Sequence, residues 1–99
     1  MSSNRTALAA IVLLSLPFGM ARAADPPPGA SSCSGCHPVS RAVETPAGRL
    51  NGRNPAAIAA AMAAFRSGQR PATVMDRIAK GFTDDEIKAI ADWYGAQKD

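Results

Sequence analysis

Cys33-Ser34-Gly35-Cys36-His37 is the stretch that decides how this chain is read. A Cys-x-x-Cys-His run is the attachment signature for c-type haem. Two thiols three positions apart can each form a thioether to one haem vinyl group. The next residue is an imidazole, which falls under the iron as the proximal ligand. These are the only two cysteines and the only histidine in 99 residues, and nothing is left over for a second site of the same kind.

N-terminal to the motif, residues 1–23 read as a cleaved secretory signal peptide. Arg5 supplies a positive start, residues 7–16 are an apolar run broken by Pro17 and Gly19, and Ala21-Arg22-Ala23 is a small-x-small cleavage site. The run is short for a membrane span, which leaves a retained anchor as the weaker alternative. The expected location is therefore the periplasm. Without Arg5 and Arg22 the 11 Lys+Arg of the full chain fall to 9, against 8 Asp+Glu, so the net +3 becomes +1. The remaining charge is uneven. Residues 41–80 hold seven bases and two acids, and residues 81–99 hold five acids and two bases. A dipolar surface of this kind orients a docking partner. No basic run is dense enough to suggest nucleic acid.

C-terminal to the signal peptide, residues 24–30 form a leader with three consecutive prolines, expected to be extended. Residues 31–99 form a single domain. A chain this short buries only a thin core, and a covalent haem would serve as its staple. Residues 30–36 fit a short helix or turn closed by Pro38. Residues 39–54 lack any period and read as loop, with Pro46 expected beside His37 and a nearby carbonyl taking the His37 Nδ1–H. Asn54-Pro55 is an N-cap followed by proline at N1, and opens a helix to Arg66 that Ser67-Gly68 ends. Ile58, Met62 and Phe65 share one face of it. Arg70-Pro71 restarts the chain toward a short helix carrying Val74, Met75 and Ile78 and stopping at Gly81. Thr83 and Glu86 form a capping box, with Phe82 and Ile87 as a hydrophobic staple. The last helix runs to about Gln97 and buries Ile87, Ile90, Ala91 and Tyr94, with Trp93 alongside. No segment alternates with a period of two, so the fold class is all-α, with three to four short helices wrapped around one covalently bound haem.

With no second histidine, a distal ligand falls to methionine, which raises the reduction potential relative to nitrogen. Outside the signal peptide only Met62 and Met75 remain. Met62 shares the Ile58 and Phe65 stripe and reads equally as core filler. Met75 lies 38 residues beyond His37, enough chain to return to the opposite face of the haem. It is favoured over Met62 or an open sixth position. Arg49, Arg53, Arg66 and Arg70 are candidate partners of the haem propionates.

Cys33–His37, Pro46 and Leu50 in the loop, and the downstream methionine together resemble a class I c-type cytochrome. Residues 64–84, AFRSGQRPATVMDRIAKGFTD, are similar to the cytochrome subunits of flavocytochrome c sulfide dehydrogenases. The resemblance covers nearly all of the chain after the signal peptide. It implies a small class I cytochrome c fold, haem c on Cys33 and Cys36, and His37 and Met75 as axial ligands. It also implies an FAD-containing partner that oxidises sulfide and passes electrons to the haem. Relatives often carry a Gly-rich segment where this chain has Pro38-Val39-Ser40, and Gly48-Arg49-Leu50 is one residue shorter than their pattern. One haem motif excludes a dihaem subunit. The leading function is a one-electron carrier, not an enzyme. A free shuttle to a terminal oxidase, a haem sensor with an open sixth site, and thiol or zinc chemistry at the Cys-x-x-Cys pair are the alternatives.

Overall fold

The structure is a computed structural model that describes Gly19 and residues 24–98; apart from Gly19, the expected signal peptide lies outside the described residues. Four helices follow in order: α1, Ala30–Cys33; α2, Pro55–Ser67; α3, Met75–Ala79; and α4, Asp84–Ala96. Among the described residues there is no strand, and no helix is long and apolar enough to cross a membrane. The all-α reading agrees with this architecture.

The two long helices begin and end on local signals. Asn54 Oδ1 accepts the Ala56 and Ala57 N–H groups at 2.8 and 3.3 Å, and Pro55 occupies the first turn, where a missing N–H costs nothing. Gly68 takes a left-handed φ of 79° and stops α2 one residue beyond the expected Arg66. At α4 the box is complete: Glu86 N–H donates to Thr83 Oγ1, and Thr83 N–H donates to Glu86 Oε2, both at 3.2 Å. The short helix is shorter than expected. It starts at Met75, after a non-helical Val74 at φ −136°, and ends at Ala79 rather than Gly81.

Helix α2 packs against both α3 and α4. It runs antiparallel to α4. Pro55 at its start lies beside Gly95, and Arg66 near its end pairs with Asp84 at 2.6 Å and donates to the Phe82 carbonyl at 2.9 Å. The core is thin. Its cluster consists of Ala30, Ile58, Ile90, Ala91 and Tyr94, with Cys33, Leu50, Ala59, Phe82 and Trp93 packed around it. The α4 face expected to be buried, Ile87, Ile90, Ala91 and Tyr94, is buried.

Two α4 side chains tie down the segment before the motif. Tyr94, fully buried, donates its hydroxyl to the Ala30 carbonyl, and its ring meets Trp93 edge-on at 4.8 Å. Trp93 Nε1–H donates to the Ala24 carbonyl at 3.0 Å. The proline-rich leader is thus fastened at its start, and Ala30, its last expected residue, opens α1 with no exposed surface. Burial raises the Tyr94 pKa above its ordinary value, with the nearby Cys33 sulfur adding to the shift. The phenol stays protonated and can donate at neutral pH. Tyr94→Phe leaves the Ala30 carbonyl buried without its donor. It is expected to cost about 1–3 kcal/mol, read as a lower Tm, with Trp93→Phe costing less because the indole bond lies near the surface.

Candidate haem-binding site

The motif is folded back on itself by the end of α1. The Cys36 and His37 N–H groups both donate to the Cys33 carbonyl, at 3.2 and 2.8 Å. This turn brings Cys33, Cys36 and His37 to the wall of one cavity of about 940 Å³. Met75, at the head of α3, lines the same cavity with Val74 and Ile78. The rest of the wall is mostly apolar, built from Leu50, Ile58, Phe65, Phe82, Ile87 and Ile90. Met62 also faces it, so the stripe expected to fill a core instead divides its work. Ile58 is buried, while Met62 and Phe65 are half-buried against the cavity.

The imidazole is held by a loop carbonyl. His37 Nδ1 lies 2.7 Å from the Gly48 carbonyl oxygen. A carbonyl can only accept, so Nδ1 carries the proton and Nε2 keeps the free lone pair that a metal needs. The acceptor lies two residues beyond Pro46, which lines the cavity beside it. Gly48 adopts φ +71°, a left-handed conformation that a side chain would strain. The glycine two places after the proline was the available sequence signal for this turn. Thr45 adds a second strut, its hydroxyl donating to the Cys36 carbonyl at 2.6 Å.

Of the four arginines considered for an anionic edge, Arg53 and Arg70 line the cavity. The Arg70 guanidinium lies 5.0 Å over the Phe65 ring. Arg66 is engaged by Asp84 and Phe82, and Arg49 donates to the Val39 carbonyl at 2.9 Å. No Asp or Glu lines the cavity.

The two thiols sit in different surroundings. Both are free, Cys33 half-buried and Cys36 exposed. Burial raises the Cys33 pKa, opposed in part by a hydrogen bond from Ser32, whereas a nucleophilic Cys-x-x-Cys needs a lowered one. Among the described residues no three His, Cys, Asp or Glu side chains converge as a metal cage. Two separated thiols, one oriented imidazole, a thioether, largely apolar walls and two guanidiniums instead suit a large planar ligand with an apolar body and an anionic edge. The volume lies at the upper end of the range for cofactor sites. These residues fit haem c.

No protein-family model matches the chain, and no solved structure matches it. Among curated proteins, the cytochrome subunit of sulfide dehydrogenase from Chlorobaculum tepidum is 39% identical over 64 residues, which are 65% of this chain and 58% of that protein. The chain thus spans little more than half the length of this relative. By sequence, over about two thirds of its length, this chain is similar to a cytochrome subunit of sulfide dehydrogenase.

Proposed function

We propose that this chain is a periplasmic electron-transfer protein carrying one haem c, attached through Cys33 and Cys36 and ligated by His37 and Met75. It is an electron carrier and not itself an enzyme. One observation carries the reading: the four side chains that such a haem requires line one apolar cavity. When bound, the haem supplies a one-electron couple at its iron. The protein does the rest. The Gly48 carbonyl fixes the His37 tautomer and raises the basicity of Nε2. Met75 offers a soft sulfur that favours the reduced metal. The Ile, Leu and Phe walls keep water away and lower the local dielectric.

The electron donor we propose is an FAD-containing protein that oxidises sulfide. The similar protein's being a cytochrome subunit of sulfide dehydrogenase supports a sulfide-oxidising partner, and a charge distribution uneven enough to orient a docked protein supports a protein donor. The signal-peptide reading of residues 1–23 supports the periplasmic location.

The first test is the distal ligand. In the oxidised holoprotein, Met75→Ala is expected to abolish the weak near-infrared sulfur-to-iron band, while Met62→Leu retains it. The reverse result would move the ligand to Met62. Tight carbon monoxide binding by the reduced wild type would mean an open sixth site. The second test is affinity purification from native periplasm, which is expected to bring down a protein with a stoichiometric flavin spectrum. A chain that comes down alone would make it a free shuttle.

A further inference from the structure

Arg66, in the last turn of α2, reaches the chain where it returns to the fold. Its Nη2–H donates to the Phe82 carbonyl at 2.9 Å, and its Nη1 pairs with Asp84 Oδ1 at 2.6 Å. Asp84 opens α4, so one guanidinium joins positions 18 residues apart. The chain between them carries Met75 and the cavity-lining Val74, Ile78 and Phe82. A cation at the end of α2 and an anion in the first turn of α4 each complement the local helix dipole.

The enclosed segment has weak internal support. Residues 67–74 are all exposed. Helix α3 packs on α2, but its hydrogen bonds are local: the Arg77 and Ile78 N–H groups donate to the Val74 carbonyl at 3.0 and 3.1 Å. No side chain caps α3 at Val74, and a helix of five residues has no stability of its own. The near end of the segment is fastened by Arg70 N–H, which donates to the Ala64 carbonyl at 3.1 Å. The far end is fastened by the Arg66 fork. Holding both ends limits how far the middle can travel. The ion pair itself adds little to global stability, since the Asp84 side chain is 90% exposed.

We propose that Arg66 is a positioning residue: it clasps the two ends of the segment that carries Met75 and so keeps that sulfur in place against competing small ligands. This rests on the haem c and Met75 reading above and names what controls access to the sixth position. While the clasp is open, Phe82 and α3 can move off together and the sulfur with them. The apparent affinity of a competitor then follows the fraction of molecules that are open. Lysine cannot take the place of Arg66. Its ammonium is a single point charge, whereas the guanidinium fork serves a carbonyl and a carboxylate at once. Salt weakens the exposed Asp84 half of the clasp, while the part-buried bond to the Phe82 carbonyl persists.

The test titrates imidazole into oxidised holoprotein of the wild type and of Arg66→Gln, Arg66→Lys, Asp84→Asn and Lys88→Gln. Mildly alkaline pH keeps the imidazole neutral, so salt does not act on the probe. Covalent haem is verified by intact mass and folding by CD, and loss of the near-infrared sulfur-to-iron band reports displacement of Met75. Arg66→Gln is expected to keep that band without imidazole and to bind imidazole on the order of tenfold more tightly than the wild type. Arg66→Lys and Asp84→Asn should fall between the two, since each keeps one half of the clasp. Added salt should tighten imidazole binding to the wild type and leave Asp84→Asn unchanged, a pattern that a merely loosened fold would not give. Lys88→Gln removes an ion pair of similar length, 2.7 Å to Asp92, that lies within α4. It should bind imidazole as the wild type does. An unchanged Kd in Arg66→Gln, or an equal gain in Lys88→Gln, overturns the proposal. If Arg66→Gln fails to fold, wild-type affinity in Asp84→Asn together with salt-independent binding by the wild type overturns it. A wild type without the near-infrared band, or without covalent haem, overturns the Met75 or the haem reading instead, so the failures are distinct.

Discussion

Haem-free protein, made by replacing both Cys33 and Cys36 with alanine or by expression without the attachment machinery, is expected to lose most of its helical far-UV CD signal and its cooperative thermal transition. The fully or nearly buried apolar residues are Ala30, Ile58, Ala79, Ile87, Ile90, Ala91 and Tyr94, and three of these are alanines with little surface to bury. Four of the larger apolar side chains, Phe65, Phe82, Leu50 and Met62, line the cavity. A dry apolar cavity costs roughly 24 cal/mol per Å³. Water could fill the space, but it would leave the same apolar walls exposed. Neither long helix has the length to stand alone, at 13 residues each. A haem-free chain with the full helix signal and a sharp transition would refute the idea that the cofactor completes the core.

What was legible in the sequence was local. Asn54-Pro55, Ser67-Gly68 and the Thr83–Glu86 box each satisfy their own helix end within four residues, so both ends of α2 and the start of α4 followed from the chain alone. The α4 stripe was legible for the same reason, since one face of one helix is buried whatever it meets. The motif residues were legible because their spacing is itself the chemistry. The contacts that hold the motif in place were not. The Tyr94–Ala30 and Trp93–Ala24 bonds span 64 and 69 residues, and nothing local in α4 names a carbonyl so far away. The loop of residues 39–54 showed only its breakers. That Gly48 and not Pro46 presents the carbonyl to His37 depends on the left-handed turn at Gly48. Met62 was ambiguous because a helical stripe looks the same whether it faces a core or a cofactor cavity.

Gly95→Ala is expected to destabilise the holoprotein by about 1–3 kcal/mol, the range for forcing a methyl group into a filled site. On propensity alone the sign would be opposite, since alanine is favoured over glycine inside a helix by about 1 kcal/mol. Packing decides it. A Cβ at Gly95 would stand 2.5 Å from Pro55 Cγ, 3.0 Å from Pro55 Cδ and 2.8 Å from the Arg53 carbonyl oxygen. A proline ring and a backbone oxygen cannot swing aside as a long side chain can, so α2 must move off α4. The same region is anchored next door, where Gly52 N–H donates to the Tyr94 carbonyl at 3.0 Å. Gly95 therefore sets how closely the Gly52-Arg53-Asn54 turn approaches the end of α4, and with it where the Arg53 side chain enters the cavity. Two readouts follow. Thermal unfolding of Gly95→Ala should fall below wild type, and Pro55→Ala should recover part of the loss in the double variant, because the ring contact goes and the carbonyl contact stays. The midpoint potential should shift from the wild-type value, since the Arg53 cation that lines the cavity is displaced. A Gly95→Ala protein that melts higher than wild type would show that α2 and α4 have room to part. The close approach of these two helices would then have no bearing on the site.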